Sequence, residues 1–177
     1  MRQIAFRFSP RKARAAVHRM LQQADHQDLH TVLKACYFAD KEHLNQFNRP
    51  IFGATYRAMR FGPVPLEIYG MAKGEAYWLA ELGAERYPWT MAGYRLNLDT
   101  NEEPELEFLS ESDMDALQAG FARSRSMTFN ERTAATHGHD WQAADLGTMC
   151  YEDMLEDGPE KPERVAYLRE SGRHMRL

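Results

Sequence analysis

The 177-residue chain is 44% hydrophobic, enough to bury one core and too short to need two domains. It has no window near the ~18 apolar residues of a membrane span and no signal-peptide stretch at its N-terminus, so a cytoplasmic protein is expected. The net charge of −4 argues against a protein whose main task is to neutralise phosphates. Cys36 and Cys150 stand in apolar settings without a CxxC partner, which excludes a disulfide framework or thiolate zinc site and leaves two reduced thiols.

In chain order, Ser9-Pro10 marks a helix start, with Ser9 able to cap free amides and Pro10 at the first helical position. Ala13, Val17, Met20, Leu21 and Ala24 follow at helical spacing. A longer helix begins near Asp28, carries Leu29, Val32, Leu33, Cys36, Tyr37, Leu44 and Phe47 on one stripe, and ends before Pro50. The two helices, spanning 10–47, are expected to pack as an antiparallel pair. Residues 53–61 suit a short strand that the Gly62-Pro63-Val64-Pro65 turn stops, because prolines cannot donate to a ladder. Pro65 opens a short helix from Leu66 to Lys73, closed by Gly74.

The segment holding Trp78 and Trp89 gives no clear period. Tyr94–Leu98 and Glu105–Leu109 read as two strands joined by a polar turn, a hairpin over 93–109. Ser110 with Asp113, and Thr128 with Glu131, are capping boxes that start two further helices. Pro162 opens a last one, so that 110–174 is helical. The expected architecture is α+β, mainly α: one helical domain over 1–177 with a small antiparallel β-sheet of about three short strands.

Charge is unevenly placed. The N-terminal residues 1–19 carry only bases (Arg2, Arg7, Arg11, Lys12, Arg14, Arg19), whereas 99–115 holds eight acids and no base. Such polarity can steer a partner of opposite sign. Within the long helix, Asp40 falls near the middle of the apolar face, so it needs a defined partner: a backbone amide, Tyr56, Arg57 or Arg60. Asp40 and His43 are read as pinning this helix to the strand and to the Gly62-Pro63 turn, in preference to an acid/base pair. The His137-Gly138-His139-Asp140 run lacks a second ligand pair at metal spacing and reads as a helix cap with a packed histidine. There is no nucleophile elbow, phosphate loop or dinucleotide fingerprint. No enzyme, cofactor or metal is expected.

The run from Leu33 to Leu44 (LKACYFADKEHL), then Arg49-Pro50-Ile51-Phe52-Gly53 and Tyr56 to Pro65 (YRAMRFGPVP), resembles the Panacea domain, also called the SocA-like antitoxin domain. Thr136-His137-Gly138-His139-Asp140-Trp141 is similar to the family's Ser/Thr-His…Trp element. The resemblance implies an antitoxin that neutralises a toxin encoded beside it, mostly by direct protein contact. It also implies that Tyr37, Asp40, His43, Gly53, Tyr56, Met59, Gly62, Pro63, Pro65, His137 and Trp141 belong to a shared scaffold. Partner choice is then expected in the divergent stretch with Tyr69, Tyr77, Trp78, Tyr87 and Trp89, and in the acids Glu102, Glu103 and Glu105. The expected partner is a cognate toxin, with a homodimer left open, nucleic acid disfavoured and no membrane. The alternatives are an adaptor that delivers a partner to a protease and a stand-alone, transcription-linked regulator.

Overall fold

The computed structural model describes residues 3–177; Arg2, counted above in the basic end, lies outside them. The fold is α+β and mainly α, with a three-stranded antiparallel sheet and a separate two-stranded one. A single cluster of buried apolar side chains runs from Ile4 to Leu168. Among the described residues no helix is long and apolar enough to cross a membrane.

Helix α1 (Pro10–Gln23) buries Ala13, Val17, Met20 and Leu21. Ser9 holds the N-cap position as expected, but its side chain makes no capping bond. Helix α2 (Leu29–Phe47) is the centre of the molecule. Asp28 caps it by accepting from the Thr31 amide at 2.9 Å, and Asn48, in the left-handed conformation, closes it before Pro50. From Val32 to Asp40 every side chain of α2 is buried, so this helix needs cover on all sides.

Its principal neighbour corrects the expectation of an α1–α2 pair. Helix α5 (Glu111–Arg125) packs along α2, while α1 lies on strand β5 (Arg95–Leu98), residues 106–108 and helix α4 (Ala76–Leu82). The reason is steric. Gly120 of α5 lies so close that a Cβ there would stand 2.8 Å from the Ala35 carbonyl oxygen and 3.0 Å from the Ala39 amide.

The Gly62-Pro63-Val64-Pro65 segment is a strand, not a terminating turn. Strand β2 (Tyr56–Met59) pairs antiparallel with β3 (Gly62–Pro65), Ala58 opposite Pro63 and Tyr56 opposite Pro65. Tyr56 and Ala58 spend their backbone groups on the other side: Ala58 N–H donates to Gly147 O and Tyr56 O accepts from Met149 N–H, each at 2.9 Å. The prolines thus stand opposite residues that need no N–H from them, and β3 is an edge strand where Pro is tolerated. The real turn is Arg60-Phe61, with Gly62 at φ +104°.

The hairpin is also displaced. Strand β5 pairs with β4 (Trp89–Ala92) through a two-residue Gly93-Tyr94 loop, Gly93 supplying φ +60°, and on its other edge with the short β1 (Gln27–Asp28). Glu105–Leu109, expected to be the second strand, instead contains a 3-10 turn over Leu106–Phe108 against α1. Its alternation imitates a strand, but the glycine loop lies before β5 rather than after it.

The other expected helix signals hold. Helix α3 (Leu66–Ala72) is followed by Gly74 at φ +88°, both capping boxes form at α5 and α6 (Phe129–Ala135), and α9 (Lys161–Ser171) starts with proline in its first turn. Short helices α7 (His139–Ala143) and α8 (Tyr151–Met154) complete the chain of helices.

Candidate partner-docking groove

A polar framework fixes the site. Asp40, fully buried in α2, accepts from the Ile51 amide at 2.6 Å, the Phe52 amide at 3.0 Å and the Tyr56 hydroxyl at 3.0 Å. Neither Arg57 nor Arg60 takes part. Burial pushes the Asp40 carboxyl up to about 7, against the pull of those three donors. His43 points away from the Gly62-Pro63 turn, correcting that reading: its Nδ1 meets Arg49 O at 2.8 Å and its Nε2 meets Ser112 Oγ at 2.9 Å. Beside it Asp113 accepts from Lys12 at 2.6 Å and from the Ser110 amide at 3.0 Å and forms an ion pair with Arg49 at 3.1 Å, and together these hold its carboxyl below the usual range despite burial.

The other scaffold residues converge on the β2–β3 hairpin. Tyr37 donates to Asp140 at 2.7 Å, and Trp141 Nε1 donates to Met59 O at 2.9 Å. His137 stacks on Trp141 with ring centroids 3.7 Å apart. Gly53, at φ +67°, passes so near the Arg7 carbonyl that a Cβ would stand 2.8 Å away, and a Cβ on Gly62 would strike Thr136 Oγ1. Among the described residues no three His, Cys, Asp or Glu side chains are grouped as metal ligands.

The task of β3 that sequence assigned to His43 falls to Lys34. Its ammonium is almost wholly buried and donates to Pro63 O at 2.7 Å. Burial, with Arg132 nearby, lowers it to about 7. Arg132 donates to His30 Nδ1 at 2.9 Å, so that nitrogen is the acceptor and Nε2 carries the proton that it gives to Phe61 O at 3.0 Å. His30 is therefore neutral, with a pKa lowered to about 4 by burial and by Lys34.

Above this floor lies a groove of about 780 Å³ between the start of α2, the β2–β3 turn, α6 and the Gly93-Tyr94 loop, with a predominantly apolar wall. Phe61 and Phe129, 46% and 43% exposed, meet edge to face at 5.1 Å; Tyr94, 79% exposed, also lines the groove, and Leu33, Met59, Val64 and Tyr69 are among its further apolar residues. A larger opening, about 1020 Å³, lies elsewhere between the Tyr77-Trp78 pair and arginines 7, 11, 173 and 176, and is more polar.

Of the residues singled out for partner binding, Tyr69 lines the groove and Tyr77 is exposed, while Trp78 is half-buried between Phe8 and Tyr77. Tyr87 and Trp89 are core residues: they stack at 5.2 Å, and Trp89 Nε1 donates to Met71 O at 3.3 Å. Strand β4 turns Trp89 inward against α3, and Tyr87, two residues before it, stacks on its ring and donates to Glu75 O; the unread period of that segment concealed both. Glu105 pairs with Arg14 and Glu103 receives Gln22, both from α1, whereas Glu102 is exposed. The basic end and acidic middle thus partly neutralise each other within the chain. Phe61, Phe129 and Tyr94 were not singled out as partner-binding residues; Phe61 at the tip of a two-residue turn was the available signal.

The fold and groove define a mainly helical scaffold that displays exposed aromatics around a proline-edged hairpin. The family model for the antitoxin SocA-like, Panacea domain matches residues 32–142, more than half the chain and every residue of the Asp40–Tyr56–Trp141 framework. The chain belongs to this SocA-like Panacea antitoxin family. No curated protein and no solved structure gives a significant match.

Proposed function

We propose that this chain is the antitoxin of a toxin–antitoxin pair and silences its toxin by direct protein contact, without catalysing a reaction. The observation that carries the reading is the exposed Phe61–Phe129–Tyr94 groove built on the family's own motif. Large aromatics held open to solvent over a fixed floor are what a protein-binding centre needs. Asp40, His43, Asp113 and Asp140, the groups with the chemistry for acid/base work, are occupied by amides, hydroxyls and cations of the framework.

The test is to co-express the chain with the product of the adjacent gene. Growth arrest by that product alone, relief by this chain and a complex that survives purification support the proposal. Relief with falling toxin level and no stable complex would point instead to an adaptor that hands the partner to a protease. No arrest, or relief with the toxin level unchanged and no contact, would contradict the proposal.

A further inference from the structure

The groove's charge and backbone chemistry say what kind of segment fits it. Arg60 and Arg95 are exposed on the rim, while Arg132 and Lys34 stand behind the apolar wall. The one carboxylate among the lining residues, Asp28, is spent on capping α2 and on Arg132. His30, among the lining residues, is uncharged at neutral pH because it accepts from one cation and donates to a carbonyl. The result is an apolar trough with a positive rim in a chain whose net charge is −4.

Backbone pairing is closed off at the same place. The free edge of β3 carries Pro63 and Pro65, which have no N–H, and the Pro63 carbonyl is already taken by Lys34. An added strand would find no ladder there. The occupant must therefore engage through side chains.

We propose that the groove takes an acidic amphipathic segment of the toxin, helical in presentation, whose apolar side chains rest on Phe61, Phe129 and Leu33 while its carboxylates meet Arg60 and Arg95. This deepens the antitoxin reading and rests on it. A second copy of the chain, which holds Asp113 and Glu105 on its own Lys12 and Arg14 but still exposes Glu102, Glu107, Glu111 and Asp115, is the competing occupant, and the self-association arm of the experiment below separates it from the toxin.

The experiment uses the whole chain and its purified toxin. Wild type is titrated first, then Arg60→Glu/Arg95→Glu, the conservative Arg60→Lys/Arg95→Lys, and Phe61→Ser/Phe129→Ser. All four side chains are exposed, and unchanged thermal melting confirms that each variant folds. The charge reversal is expected to weaken binding by roughly 100-fold and the Lys pair by less than about 10-fold, since the sign is kept and only the fork geometry is lost. The aromatic pair should lose at least about 10-fold. Tight wild-type binding that all three variants match within about two-fold would overturn the groove assignment and leave the antitoxin reading standing. A wild-type chain that neither binds nor silences the toxin would overturn both. Variants that abolish self-association yet bind toxin normally would assign the groove to a second copy and overturn the proposal.

Discussion

The Tyr56 hydroxyl donates to the Asp40 carboxylate at 3.0 Å, joining strand β2 to the centre of α2 where neither group touches water. The same carboxylate ends the loop after α2 by accepting from the Ile51 and Phe52 amides. One side chain therefore sets the position of the hairpin on which Phe61 is carried. Removing either partner leaves the other buried without its bond. Asp40→Ala and Tyr56→Phe should each destabilise the fold, and the double variant should lose less than the sum, with a coupling of about 1–2 kcal/mol. Denaturant melts of the four proteins check this; additive losses would mean that the two groups act independently.

The α2–α5 contact depends on Gly120. A methyl group at this position meets backbone atoms of Ala35 and Ala39 rather than flexible side-chain ends, so the helices must move apart. Gly120→Ala should cost about 1–3 kcal/mol although Ala is the better helix former. A neutral or stabilising result in a thermal melt would show that α5 can shift freely.

Lys34 gives a pH signature. Its folded-state pKa of about 7 lies below the value of 10.5 taken for an unconstrained lysine. Between these values the unfolded chain binds more protons, so this group makes stability rise as pH goes from about 7 towards 10.5. Lys34→Met should remove that rise, while any shared contribution, such as that of Lys12, cancels in the comparison. Equal slopes for wild type and variant above pH 7 would contradict a desolvated ammonium.

Asp113 tests the second network. It holds the buried Lys12, accepts from the Ser110 amide and forms an ion pair with Arg49. Asp113→Ala strands the Lys12 charge and should destabilise by about 3–5 kcal/mol, whereas Lys12→Met/Asp113→Leu should recover much of the loss. Chemical denaturation measures both; a single variant as stable as wild type would show that Lys12 finds water or another partner.

Local signals in the sequence carried much of this fold. Asp28, Ser110 with Asp113 and Thr128 with Glu131 act on amides within one turn of themselves, and Pro10 needs no partner for the N–H it lacks, so their helix starts were readable. Asp40 was conspicuous because a carboxylate on an apolar stripe must be satisfied. Features set by distant segments were hidden. Pro63 and Pro65 read as strand breakers because the partners that make them harmless, Gly147 and Met149, lie some eighty residues on. The Glu105–Leu109 alternation mimicked a strand, and the opposed charges of α1 and 99–115 read as two poles although the fold lays them together. Exposure of Phe61 and Phe129 arises only when the hairpin and α6 meet.

The most direct measurement is amide hydrogen exchange on the chain alone and in complex with the toxin proposed as its partner. The account predicts added protection in the β2–β3 turn around 59–62 and at the start of α6 around 128–132, with the α5 core unchanged. Protection confined to the Tyr77-Trp78 side of the molecule, or none in a complex that is shown to be intact, would contradict a groove-centred contact.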